Sequence, residues 1–491
     1  MAKGRHLIRK CLPASSTYMG LQRWQLERHE ICRHRKSDWK SDTLTKIWEG
    51  GGTEISDTHL NDVMTNEDAE IDSDMLDYEI INLAAFHVNL RKKGIIKEEE
   101  SESILMALGS FLGKKVTVDP EEEDIHGFLE NKIHEAIGES AENLRLFLSR
   151  NEQSQCNLRS FYIDHLLALA ETLLEGSKKL RNIAADVKGK IPGFTHWRQA
   201  MPLATSTYYD YMSRILLDLT KDTIMLIKKF RHSSPFGIGS GFGSFSLASF
   251  NDIAVDLGFE NGPENPVATS FYRGFDDLEV TSLISRIMLF YSRISADLII
   301  YSSGSNSGLK LPASFLTGSS LMPNKRNPDF LEMVQGYASR IIADHVAISG
   351  IIANRNTGYH REFQISKDKT VQYLRLVESI SIHMMQLLVE MKFDPAKSSS
   401  SIENGSYSSY EAYKTFQETG KWKESYKLIG EKFRSGGSFS EYQPTSYKSV
   451  SLHEININRD KLASIKNEWS EPRKMLIEYL QASVTKSRGK I

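Results

Sequence analysis

Cysteine is scarce in this chain of 491 residues: Cys11, Cys32 and Cys156 are an odd number with no metal-like spacing, which speaks against a disulfide framework or a zinc site. That usage fits a reducing cytoplasm. An excess of either charge is missing too. There are 61 Lys and Arg against 63 Asp and Glu, a formal net charge of −2, whereas proteins that bind nucleic acid or anionic membrane usually carry a marked basic excess. No apolar run reaches the roughly 20 residues that a membrane-spanning helix needs. Nucleic-acid and membrane partners are therefore not expected.

Proline is absent from 121–191, 203–234, 267–311 and 329–394. Proline breaks helix interiors, so proline-free stretches of this length with apolar residues at helical spacing predict long helices and an all-α chain with a central bundle. Within Val280 to Ile300 the apolar residues cover more than one face, the pattern of a helix buried nearly all round. Such a helix needs partners on every side. Helices are also expected over Leu76 to Gly94 and Lys97 to Leu112, the second stopping at Gly113.

The ends differ in charge. Residues 1–46 hold eleven Lys and Arg against four Asp and Glu, and 47–90 hold eleven acidic residues and neither Lys nor Arg. We read 1–46 as a basic, solvated tail, 47–155 as an N-terminal helical domain, 156–395 as the central bundle and 396–491 as a small C-terminal helical domain.

The densest chemistry lies in Thr317 to Glu332, TGSSLMPNKRNPDFLE, within a loop at 315–332. Gly318 frees the backbone, Ser319 and Ser320 offer hydroxyls that amides can polarise, Lys325 is a point charge suited to a carboxylate, and Asn327 adds an amide that donates and accepts. Pro328 marks a helix start, with Asn327 as its expected N-cap. This wording, G-S-S-L-M-P-x-K-x-N-P, resembles the signature of the fumarase/aspartase superfamily, and within it is most similar to the argininosuccinate lyase family. The resemblance implies a three-domain helical fold, a homotetramer with composite active sites, elimination of fumarate from a succinyl-bearing substrate, and no cofactor or metal.

Other segments follow in the family's order. Ser149-Arg150-Asn151-Glu152-Gln153 is similar to S-R-N-D-Q, which implies that Asn151 binds the succinyl part and places Glu152, longer than the usual Asp, near an anion site. Pro192 to Pro202 resembles P-G-[YF]-T-H-x-Q-x-A-Q-P, pointing to Thr195 and His196. Tyr359, Gln364 and Lys367 match Y-x-x-D-x-Q-x-x-K, residues that hold carboxylate and amine-side groups, with Glu362 in the place of Asp. EDIH at 123–126 resembles the family's E-D-[IV]-H helix, although a His beside acids at a helix start reads as a capping or surface group. Pro235 to Ser246 is a Gly/Ser-rich loop suited to packing beside a substrate, and its lack of a preceding strand excludes a dinucleotide fingerprint. The family's W-G-G-R-F element is incomplete here, where Trp48 is followed by EGGGT, and Glu70 stands where a small Ser is common.

Elimination requires removing a weakly acidic proton next to a carboxylate, so the carboxylate must absorb developing charge, stabilised by Lys325, Asn327 and backbone amides. The resemblance implies Ser319 as base with His196 assisting proton transfer to the leaving nitrogen, and the reverse assignment stays open. So do two other functions: a lyase for a different amine, suggested by Glu70, Glu152 and the incomplete N-terminal element, and a non-catalytic structural protein on the same fold.

Overall fold

The computed structural model describes residues 69, 71–119, 122–304 and 308–488. Its architecture is all-α. Helices α1 (Leu76–Lys92), α2 (Glu98–Phe111) and α3 (Ile125–Ile137) precede the long α4 (Arg150–Asp186), and a hairpin of β1 (Lys190–Thr195) and β2 (Arg198–Ala204) turns the chain back into α5 (Thr205–Arg231). Two short helices, α6 (Phe250–Asp256) and α7 (Pro266–Phe271), lead to α8 (Phe275–Ser302). A stretch holding β3 (Leu309–Lys310) and the β4–β5 pair (Thr317–Gly318 with Arg326–Asn327) follows, then α9 (Asp329–Ile352) and α10 (Phe363–Glu390). The chain finishes with β6 (Lys392–Phe393), which pairs with β3, and with α11 (Pro395–Ser400), α12 (Ser408–Thr419), α13 (Trp422–Arg434) and α14 (Leu452–Arg488).

Helices α4, α5, α8, α9 and α10 pack on one another as the bundle. Burial drives this: Leu166, Leu169, Leu173, Leu216, Ile227, Ile284, Ile287, Ile294, Val371, Leu374 and Leu388 lie in one continuous apolar core. α14 returns to α2, α4 and α5 and adds Leu462, Trp469 and Leu480 to that core, whereas Ile402, Tyr407, Ala412, Ile429 and Phe439 form a small separate cluster.

The connections between successive long helices gather at two distinct ends of the bundle. One end gathers the start of α4, the glycine loop after α5, the start of α8, and the link from α9 to α10; Gln155 Nε2 donates to Thr269 O (3.0 Å) and Asn151 Nδ2 to Ser240 O (3.3 Å) there. The other end gathers the β1–β2 hairpin, the end of α8, the β4–β5 loop and the β3–β6 pair, with Tyr301 Oη donating to Pro192 O at 2.9 Å. With 37 residues, α4 separates the ends by about 55 Å at 1.5 Å per residue.

Val280 to Ile300 forms part of α8 and is covered by its own chain except along a strip of Arg286, Leu289 and Arg293. An open face of small and apolar residues lies on α9. Its inner face is Leu331, Val334, Ala338, Ile341 and Ile348, while Met333 and Val346 are exposed beside Gly336, Ala343, Ala347 and Gly350. A Cβ added at Gly336 or Gly350 would meet nothing.

Candidate active site

The signature loop is a short hairpin. Thr317 pairs with Asn327 and Gly318 with Arg326, and Asn327 Nδ2 donates to Gly318 O at 3.4 Å across the two strands. Asn327 is thus not the N-cap of α9: Pro328 occupies that position without a side-chain cap, and Thr317 Oγ1 donates to Asp329 in the first turn. At the loop's tip Ser319 Oγ accepts N–H bonds from Leu321 (3.3 Å) and Met322 (3.1 Å). Two backbone donors on one hydroxyl oxygen favour negative charge there. The Lys325 side chain is exposed.

Thr195 and His196 sit on the β1–β2 hairpin. Thr195 pairs with Arg198, so His196 and Trp197 form a two-residue turn with φ of 52° and 60°. Glycine or asparagine is the usual choice for both positions. Two bulky residues held in left-handed conformations at an exposed tip are a strained arrangement of the kind that clusters at functional sites.

Asn151, Tyr359 and Gln364 come together at the other end, around a cavity of about 170 Å³ also lined by Asp72, Glu123, Asp124, His126, Arg150, Ser154 and Arg361. Ser149 caps α4 through a capping box with Glu152, which sets Asn151 on the helix's first turn. Lys367 is buried with its ammonium 2.7 Å from Asp72 Oδ1, and reaches the cavity through that lining residue. The cavity's acids are answered locally: Arg150 meets Asp124 (2.7 Å) and Glu123 (3.1 Å), and Arg361 meets Glu123 (2.9 Å).

His126 is neither a cap nor a surface group. Asp124 caps α3 instead, accepting from Gly127 N at 2.8 Å, and His126 is buried with Nδ1 3.0 Å from Glu79 Oε1. Burial by itself lowers the imidazole's pKa, but the charge of Glu79 reverses this and the net shift is upward. For Glu79 burial pushes upward, while the charge and hydrogen bond of His126, the Asn157 amide and the charge of Arg145 hold the carboxyl below its usual range. Glu79 belongs to no motif, although a carboxylate among apolar neighbours on α1 is a signal of a buried partner.

Glu152 also departs from expectation. It is wholly buried and does not line the cavity; its carboxylate accepts from Gly237 N (2.7 Å), Gly239 N (3.1 Å) and Ser149 N (2.8 Å). It pins the glycine loop to α4. Gly237 (φ 114°) and Gly239 (φ 60°) have the positive φ that lets their N–H groups converge on one oxygen. Glu362 faces Arg355, and Glu70 lies outside the described residues. Among the described residues no three His, Cys, Asp or Glu side chains converge to hold a metal ion, and no helix is long and apolar enough to cross a membrane.

One chain therefore holds three groups of site residues in two places, the cavity set at one end and both hairpins at the other. Residues 58–343 match the family described as lyase. An argininosuccinate lyase of Caldicellulosiruptor bescii is 30% identical over 376 residues, 73% of this chain and 78% of that one. The chain belongs to the argininosuccinate lyase family. An argininosuccinate lyase of Thermotoga neapolitana is 29% identical over 396 residues, 79% of this chain and 98% of that one. Among solved structures, an EDDS lyase in complex with formate is similar at a TM-score of 0.72 and 17% identity, covering 87% of this chain and 97% of that one. A fumarate lyase:delta crystallin of Brucella melitensis is similar at 0.62 and 16% identity, over 78% and 91%. These two likenesses concern the fold. The family membership makes the protein a carbon–nitrogen lyase that releases fumarate.

Proposed function

We propose that this lyase splits argininosuccinate into arginine and fumarate in the cytoplasm, as a homotetramer whose active sites are completed across subunits. One observation carries the second half of the reading. Asn151 begins α4 and His196 lies beyond its end; Ser319 precedes α9, about 36 Å long from its 24 residues, and Tyr359 follows it. No single chain brings Ser319 to Asn151, so a second copy has to supply one of them. The exposed α9 face of small and apolar residues suits close packing against other copies.

In the assembled site a carboxylate of the succinyl part rests on Asn151, Thr195, Lys325 and Asn327. Ser319 Oγ, held by two N–H donors, takes the proton from the adjacent carbon; the C–H electron pair becomes the new double bond as the C–N bond breaks. His196 returns a proton to the leaving nitrogen. The loop's donors stabilise a serine alkoxide that would be inaccessible to a free hydroxyl.

Incubating the purified protein with argininosuccinate while following fumarate absorbance tests the reading. Ser319→Ala is expected to lower turnover by about three orders of magnitude with substrate binding retained, as an interaction confined to the transition state requires. Inert wild-type protein would overturn the substrate, and near-normal turnover by the variant would move the base elsewhere.

A further inference from the structure

Around the cavity nearly every charge has its opposite. Glu123 and Asp124 meet Arg150 and Arg361, Asp72 meets Lys367, and His126 meets Glu79. Arg273 is different. It is only 4% exposed, it forms no ion pair among the described residues, and its guanidinium makes one hydrogen bond, from Nη2 to Gln364 Oε1 at 3.2 Å. Among the described residues Nε and Nη1 have no hydrogen-bond partner. The acid whose charge it feels, Asp277, is engaged by the hydroxyls of Tyr162 and Ser366 at 2.5 Å each. A buried guanidinium without a counter-ion is costly, and an anion brought near it recovers that cost.

Its two neighbours belong to the cavity wall. The guanidinium lies 5.3 Å from the centre of the Tyr359 ring and bonds to Gln364, and both residues line the cavity. The backbone that carries it is held firmly: Arg273 N donates to Ser270 O at 3.0 Å, and a Cβ on Gly274 (φ 80°) would sit 3.1 Å from Ile352. A guanidinium only donates, so it engages the oxygen of the Gln364 amide and leaves the nitrogen's two N–H groups turned away from it.

We infer that Arg273 is a positioning residue: it orients the Gln364 amide so that Nε2 presents N–H donors to a substrate carboxylate, and it supplies the unpaired positive field behind them. The inference rests on the reading of the cavity as a site for a carboxylate-bearing substrate. That carboxylate belongs either to the succinyl half or to the arginine half, and binding of the two products separates these sources.

The test is calorimetric binding of fumarate and of arginine to full-length wild type, Arg273→Met, Arg273→Lys and Gln364→Glu, with KM and kcat for argininosuccinate alongside. Arg273→Met is expected to weaken one product, and to raise KM, by roughly tenfold with kcat changed far less, because a charge-assisted contact made in ground and transition states alike is lost. Arg273→Lys, which keeps charge and donor, should recover most of the affinity. Gln364→Glu keeps an acceptor for Arg273 but removes the donors and cancels the field, so it should weaken the same product without lowering the melting temperature. Unchanged affinity for both products in Arg273→Met overturns the inference, as does a lysine variant no better than methionine. Should Arg273→Met not fold, unchanged affinity in Gln364→Glu overturns it equally. Wild-type protein that binds neither product would instead overturn the reading of the cavity, and the inference with it.

Discussion

Lys367 Nζ lies 2.7 Å from Asp72 Oδ1, and the two side chains are 1% and 8% exposed. The second Asp72 oxygen accepts from Ile125 N at 3.2 Å, so a single carboxylate ties the start of α3 to the first turns of α10. The cavity wall is built around this pair.

Removing one partner strands a buried charge. Asp72→Asn is expected to destabilise the protein by about 3 kcal/mol or more, and Asp72→Asn combined with Lys367→Met by clearly less than the sum of those two changes made singly. Urea unfolding of the four proteins measures the coupling; simple additivity would show that the pair does not act as a unit.

The Glu79–His126 pair predicts a pH signature. Glu79 is lowered, so its contribution is complete above its ordinary value of 4.5 and is lost as pH falls through its folded value; His126 is raised, so its contribution is complete below 6.5 and is lost as pH rises through its folded value. The pair therefore stabilises most between those two ordinary values. His126→Gln should cost about 3 kcal/mol near the middle of that window and distinctly less under alkaline conditions. A cost that does not vary with pH, read from urea unfolding across the range, would remove the ionic account.

The proposed sharing of each site between copies predicts complementation. Asn151→Ala and Ser319→Ala proteins should each be nearly inactive. After mixing, unfolding and reassembly, roughly a quarter of the sites draw both residues from intact copies, and activity should return to about that fraction of wild type. Mixtures as inactive as their parents would mean that one chain builds the whole site.

The reverse reaction tests the amine. Glu152 is spent on the glycine loop and Glu362 on Arg355, so neither departure alters the cavity wall. With fumarate and a panel of arginine, aspartate, diamines and ammonia, arginine should be the amine consumed. Reaction with another amine while arginine stays inert would replace the substrate and keep the C–N lyase.

The chain's own order of residues sufficed for the helical architecture and the two hairpin motifs. Proline-free stretches leave long helices few alternatives, and G-S-S-L-M-P-x-K-x-N-P is local chemistry, legible wherever the loop folds. Motifs singled out Asn151, Tyr359 and Gln364, and the structure brings them to one cavity although 208 positions separate Asn151 from Tyr359. What Glu152, His126 and Arg273 do was decided by tertiary structure. A carboxylate at position 152 looks the same in sequence whether it faces a ligand or two glycine N–H groups, and a His after an acidic run looks like a cap until Glu79 is folded against it. Arg273 carries no motif: the role proposed for it comes from burial beside Gln364, 91 residues away, with no ion pair among the described residues. The same holds for the separation of Ser319 from Asn151, which depends on the direction and length of whole helices rather than on any residue.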